Sequence, residues 1–566
     1  YMNLTGKGLR ADGSENLDDL NTLDERSDNR LVASPDQWLF NEWVIPSEAN
    51  FDSKWYWNNI RNLNYFMTRY QRVNATESEV NPVVAVIRFF RAFDYFDKIK
   101  TFGDVPWYEK DLTTADIDEL YKARDDRDFV LGKIIEDLEF AIEWLPEKSA
   151  AEVGALHKDA ARTFLARVCL HYGTYKKYHN VSTSPTSQEL LQKAATLAKE
   201  VMDSGLYDIV QGSDAGANQS AFADYPLYYA NQFTQEDLTT NNECILARVF
   251  EADVLTHNLA RGGGVGLSKD FAESFLCKDG LPIANSSEYK GDETLDDEMA
   301  NRDPRMYQII DSKYRPYTVK SNGMRVVNSG IDDKKEFSPS EEPGTNIHSA
   351  PGLTGTATGY SPIKLMSASQ SQQDAVKTSS YDWFVFRYAE ILLIYAEAKC
   401  EFTQAVLDET INKLRDRVEM KHLTVSPVAD LNPVDYGYSI TPLLYEIRRE
   451  RRIELALEGF RYDDIMRWNA MKLFENPKTY LGMRVTDKVK ALYQPEVFEG
   501  STARDLIEYN GKTYIRMYSG KSLNEAGRKW TGNDKRLYYP IPTSQITLSA
   551  SHGSCLLYTS PSPRDR

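Results

Sequence analysis

Two neighbouring segments limit the architecture of this chain more than any other feature. From Lys158 to Tyr175, Ala160, Ala161, Leu165, Ala166, Cys169 and Leu170 recur at helical spacing. From Glu189 to Ser204, Leu191, Ala194, Ala195, Ala198 and Val201 repeat the pattern, and Gly205 closes it. Small residues on two consecutive helices let their backbones approach closely, as in tetratricopeptide-type helix pairs. Segments 83–102 (Val83, Ile87, Phe90, Ile99) and 127–145 (Phe129, Ile134, Leu138, Ile142, stopped by Pro146) are also helical by period. Segments 384–420 and 442–474 read as later pairs. The pairs are degenerate and keep no strict 34-residue repeat. The expectation is a mainly α fold in which helix pairs support something else.

That something else is residues 205–380. They hold short strand-like runs such as Ile245 to Glu251, and a glycine-rich loop at 261–266 that reads as flexible. Residues 312–380 are rich in Ser, Gly, Asn and Thr, with Tyr314, Tyr317 and Tyr360 among them. Long irregular segments inside compact proteins are commonly functional loops.

Several function classes drop out. The 566 residues carry a net charge of −17, which argues against nucleic acid as a partner, because phosphate binding needs clustered cations. The longest apolar runs, such as Ile391 to Ala396, fall far short of the roughly 20 residues of a spanning helix. Five scattered cysteines and seven dispersed histidines give neither a disulfide framework nor a metal set, so free thiols, no metal and no cofactor are expected. The glycines at 262–266 break the dinucleotide spacing, and Gly511-Lys512-Thr513 and Gly520-Lys521-Ser522 lack the first glycine of a phosphate loop. Neither a nucleophile elbow nor a zinc-protease motif is present, and no catalytic residue is assigned.

Glu446, Glu450, Glu454 and Glu458 lie four residues apart, on one helix face, with Arg448, Arg449, Arg451 and Arg452 between them. A di-metal bundle would need Glu-x-x-His pairs, which are absent. The row reads as an ion-pair helix anchoring its neighbour, through i,i+3 pairs such as Glu446–Arg449 and Arg451–Glu454.

The 34 Tyr, 23 Phe and 9 Trp exceed what a core of this size usually requires. Trp38, Trp43, Trp55 and Trp57 crowd into 20 residues, with Tyr56 and Tyr65 nearby and Asn41, Asn58 and Asn59 between. Aromatic faces stack on the C–H faces of sugar rings while amides satisfy the hydroxyls. Trp38, Asn41 and Trp43, with Tyr314, Arg315 and Tyr317 of the long loop, are therefore the candidate ligand-binding residues. The aromatics would stack, and Asn41 and Arg315 would bond hydroxyls.

The carboxyl half holds three distinctive stretches: Arg387-Tyr388-Ala389-Glu390-Ile391-Leu392-Leu393-Ile394-Tyr395-Ala396-Glu397-Ala398, Ile411 to Arg417, and, most specific, Ile447 to Trp468. Asp279-Gly280-Leu281-Pro282, Asn301-Arg302-Asp303-Pro304-Arg305 and Tyr539-Pro540-Ile541-Pro542 with Gln545-Ile546 add to them. In these stretches the chain resembles the SusD/RagB family of outer-membrane nutrient-binding lipoproteins. The resemblance implies one SusD-like domain over 1–548, with four tetratricopeptide-type helix pairs supporting a loop-rich face. It implies a surface oligosaccharide- or polysaccharide-binding protein, lipid-anchored to a Bacteroidetes-type outer membrane, that delivers glycans to a SusC-like TonB-dependent transporter. The lipidated cysteine expected near the mature start is not in the sequence. The family's Asn-Pro-Gly-type ending does not follow Leu548, and 549–566 read as a disordered or non-native tail. The signature motifs are scaffold, so they transfer no ligand residue. Two other readings remain at this point: a helical, α/α-barrel-like glycoside hydrolase, and a helix-repeat scaffold that binds only proteins.

Overall fold

The computed structural model describes residues 23–32, 34–211, 227–257, 266–311, 358–365, 367, 372, 379–492, 504–530 and 534–551, with short strand segments between 318 and 337. Contacts group in two compact units, each built from separated segments. The first is Tyr1–Asn16, Asn41–Asp203 and Thr531–Arg566; the second is Leu17–Phe40 and Ser204–Trp530.

The first unit is helical. Thr76 and Glu79 form a capping box at the head of helix Glu77–Phe102, with Glu79 accepting from the Thr76 backbone N–H at 2.9 Å. Asp126 caps helix Arg127–Trp144 by accepting from the Asp128 N–H at 2.8 Å. These helices pack on one another, and buried Asp137 of the second receives Arg88 Nε at 2.6 Å and Arg91 Nε at 2.8 Å from the first. Helices Lys158–Tyr178 and Ser187–Asp203 run antiparallel. Ser187 Oγ donates to the Gly173 carbonyl at 2.6 Å at one end, and Arg162 Nε reaches Glu200 at 3.2 Å at the other. Their small-residue stripes are buried as expected: Ala160, Ala161, Ala166 and Cys169 on one helix, Ala194 and Ala198 on the other.

The two earlier helices match the sequence reading in part. Ile99, Ile134 and Leu138 are buried as expected, but Val83 is 51% and Phe129 50% exposed, and Val84, Phe89, Ala92, Phe96, Val130 and Leu131 are buried instead. Both helices are apolar around much of their circumference, so periodicity finds the helix without choosing the stripe. The inward stripe is the one beside the Arg91–Asp137 contact. Helix Thr543–Ser551 carries the chain three residues into the expected tail, and 552–566 lie outside the described residues.

The second unit combines short sheets with helices. Strand Cys244–Arg248 pairs antiparallel with Trp383–Arg387, and Lys512–Met517 lies between Leu481–Arg484 and Arg504–Tyr509. Arg30–Leu31 pairs with Gly266–Leu267, and Thr318–Val319, Arg325–Val327 and Lys335–Phe337 form a small antiparallel meander. Asn510 and Gly511 turn one hairpin with φ of 50° and 72°, the paired left-handed residues that a tight hairpin needs. Helices Tyr388–Phe402, Ile411–Arg417, Pro442–Glu454 and Arg461–Arg467 lie at the expected places, although two of them span only seven residues. Cys169, Cys244, Cys277 and Cys400 are free thiols.

The glutamate row on Pro442–Glu454 and beyond is a tertiary hub. Glu446 meets Arg449 at 3.3 Å, as the spacing predicts. The Arg451–Glu454 pair is replaced. Glu454 binds Arg417 at 2.6 Å, Arg387 at 2.8 Å and Arg305 at 3.0 Å, while Arg451 turns to Asp464 at 2.8 Å. Glu450 lies between Arg305 (2.5 Å) and Arg415 (2.9 Å), and Glu458 between Lys364 (2.6 Å) and Arg387 (2.7 Å). The carboxylates face inward, where guanidiniums from other elements converge, so long-range partners displace neighbours on the same helix. The hub joins the three signature stretches of the carboxyl half.

Candidate ligand-binding cleft

The first unit holds a cleft of about 470 Å³ whose lining includes Trp57, Arg61, Tyr108, Tyr121, Lys122 and Gln545. The head of helix Asn58–Met67 supplies one wall, the segment 106–122 between two helices the second, and helix Thr543–Ser551 the third. Buried Asn64 pins the second wall: its side-chain amide donates to the Tyr108 carbonyl at 2.7 Å and accepts from Arg91 Nη1 at 3.3 Å. An irregular segment tied to a buried amide is pre-organised for a ligand.

The aromatic rings brace each other. Trp57 meets Trp55 edge-on at 5.3 Å and Tyr108 at 5.5 Å between ring centres. Lys122 donates to the Trp107 carbonyl at 2.7 Å, reaches Asp125 at 2.9 Å, and lies 5.3 Å from the centre of the Tyr108 ring. Burial, with the charges of Glu119 and Asp125, pushes the Tyr108 hydroxyl far above its ordinary range, so it stays protonated. Lys110 is raised by its 2.8 Å hydrogen bond to Asp116. Half-buried aromatic faces beside fixed N–H and O–H donors can hold a flat, hydroxylated ring.

The residues expected from sequence fare differently. Trp38 is corrected to a core residue: it is 3% exposed and its indole N–H donates to the Tyr462 hydroxyl at 3.1 Å, which leaves no face for a sugar. Asn41 is exposed, with φ of 59° in the left-handed region. Trp43 is half-buried, with the Lys535 ammonium 4.9 Å from its ring centre. Tyr314, Arg315, Tyr317 and residues 261–265 of the glycine-rich loop lie outside the described residues. Trp57 belongs to the aromatic cluster seen in the sequence and Gln545 to the closing segment that carries the family resemblance, whereas nothing in the sequence reading singles out Tyr108 and Tyr121. The signal for the two tyrosines is the length of the stretch between helices Glu77–Phe102 and Arg127–Trp144, longer than a plain connection needs.

Comparison with known proteins fits this architecture. Residues 212–552 match the SusD family, and residues 11–170 match a second SusD-like family described as starch-binding and associating with the outer membrane. The chain belongs to the SusD family. It is 26% identical over 403 residues to the SusD-like protein P2 of Formosa agariphila, a match spanning 70% of this chain and 66% of that relative. Among solved structures, a SusD-like protein from Bacteroides fragilis NCTC 9343 aligns with a TM-score of 0.64 at 22% identity, covering 95% of this chain and 93% of the other. A SusD-like carbohydrate binding protein from the same strain aligns with a TM-score of 0.63 at 21% identity, covering 93% and 91%. At these identities the two structures speak for the fold. Membership places the chain in a non-catalytic family. Within the glutamate row, Glu454 sits well below the usual carboxylate range: burial raises it, and Arg417, Arg387 and Arg305 outweigh burial. No described helix is long and apolar enough to cross a membrane.

Proposed function

We propose that the protein captures oligosaccharides or polysaccharides at the cell surface and passes them to a SusC-like TonB-dependent outer-membrane transporter. A lipid anchor in the native protein would hold it at the membrane. The observation that carries this reading is the aromatic cleft of the first unit, in a chain of the SusD family. There the faces of Trp57, Tyr108 and Tyr121 stand beside the donors of Arg61, Lys122 and Gln545. Rings of this kind bury the C–H face of a sugar, and the neighbouring donors replace the water lost from its hydroxyls. Asn41 and Trp43 remain proposed contributors on the same unit, and Tyr314, Arg315 and Tyr317 from the long loop.

The test is a glycan array followed by titration calorimetry on the best ligand. Binding is expected, and a Tyr121→Ala, Arg61→Ala double variant should weaken it about tenfold or more, the equivalent of about 1.4 kcal/mol, with unchanged melting. An array without a single binder would sink the proposal.

A further inference from the structure

The second unit contains its own cleft, of about 420 Å³, beneath the segment 430–436. We propose that it is a second saccharide site, which accepts a ring of a neutral oligosaccharide. The inference rests on the reading of the protein as a glycan binder and adds a site that the aromatic cleft does not include.

The charge pattern selects the ligand class. The cations lining the cleft are already matched: Lys472 with Glu475 at 2.6 Å, Arg452 with Asp270 at 2.8 Å, and Arg461 with Asp28 at 2.7 Å. Lys478 is likewise bound by Glu273, and Arg449 by Asp430. An anionic guest would have to compete with those carboxylates, and a cationic one with their partners. A neutral polyol disturbs neither. Four of these pairs, all but Arg461–Asp28, have both partners in the lining and so place an acceptor next to a donor, which suits the two adjacent hydroxyls of a sugar ring.

The walls supply the remaining parts. Tyr445 and Tyr509 are half-buried, giving the cleft aromatic surface for a C–H face. The Tyr445 hydroxyl accepts from the Val434 N–H at 3.0 Å, so its own proton can go to a ligand oxygen. Exposed Asn432 and Asn510 put side-chain amides at the rim. This rim is pre-organised. Asn285 accepts from the Leu431 N–H and donates to the Ala429 carbonyl, both at 3.0 Å, and the left-handed Asn510-Gly511 turn fixes the other edge. A cleft of this volume falls within the range of small-ligand sites.

The experiment is amide hydrogen exchange on the full chain, with and without saturating maltoheptaose, laminarihexaose, xylohexaose, mannohexaose or, as the charged comparison, hexagalacturonate. At least one neutral oligosaccharide should slow exchange across 430–436 and 472–478 threefold or more. That protection should persist in the Tyr121→Ala, Arg61→Ala variant and vanish in a Tyr509→Ala, Asn432→Ala variant of unchanged melting temperature. Protection confined to 55–64 and 106–122 would overturn the second site and leave the glycan-binding reading standing. Protection of 430–436 by hexagalacturonate alone would overturn the neutral class. Absence of protection anywhere with every oligosaccharide would overturn the second site together with the reading it rests on.

Discussion

Glu454 is fully buried against three arginines drawn from three other elements, with Arg417 and Arg387 closer to it than Arg305. Removing that single charge takes away the carboxylate the three guanidiniums share and leaves each with other partners only, Glu243 for Arg417, Glu458 for Arg387 and Glu450 for Arg305. Glu454→Gln should therefore cost about 3–5 kcal/mol of stability in urea unfolding, the range for breaking a buried pair on one side. Lys133→Ala, which opens an exposed i,i+3 contact with Glu136, should cost less than about 1 kcal/mol. The same network sets the acid limit. The Glu397 carboxyl is held down to about 2 from an ordinary 4.5: burial opposes ionisation, and Arg467, Arg451 and Arg448 overcome it. Asp28 is held down to about 2 from 3.8 against the same burial cost, by Arg452 and Arg461. Both groups are depressed in the folded state. Their contribution is therefore complete above the ordinary values and is lost as pH falls toward about 2. Melting temperature measured between pH 6 and pH 2 should fall on the acid side, and the fall should be shallower in Glu397→Gln. At this scale the sequence shows that charges alternate but not which charges meet. Arg451 has Glu454 three residues away and pairs with Asp464 instead.

Two glycines inside helices separate what an element needs by itself from what its partner imposes. Gly132 lies within Arg127–Trp144, and a methyl group added there would meet nothing within 4 Å. Gly173 lies within Lys158–Tyr178, and a methyl there would come within 2.9 Å of Leu191 Cγ on the facing helix. Glycine costs a helix roughly 1 kcal/mol relative to alanine. Gly132→Ala should thus stabilise the protein by about 0.5–1 kcal/mol. Gly173→Ala should destabilise it by about 1–3 kcal/mol, because overpacking outweighs the gain in propensity. Thermal unfolding of the two variants checks both signs. The helices and the small-residue stripes were legible because period and residue size are local properties. The buried side of Glu77–Phe102 was not, because a helix apolar on several sides has more than one stripe to offer. Trp38 failed as a ligand residue for a related reason: its hydrogen-bond partner Tyr462 is 424 positions away.

At the scale of the whole chain, each unit is assembled from segments far apart in sequence. The expectation of a single domain over 1–548 is carried forward as a proposal, for which scanning calorimetry should show one cooperative transition; two resolved transitions would refute it. Family and fold class were legible because the signature helices make the buried ionic hub, whose residue types are tightly constrained by the lack of water around them. The aromatic cleft was legible only in part. Trp57 stood out in its tryptophan cluster, but Tyr108, Tyr121 and Gln545 come from two other segments and are brought to it by packing. The sequence by itself determined the helical scaffold, the free thiols among the described cysteines and the family, since each follows from residue type at fixed spacing. The tertiary structure alone decided which aromatics remain half-exposed and which arginine neutralises which glutamate. Both depend on where distant segments meet, and spacing along a chain does not encode that distance.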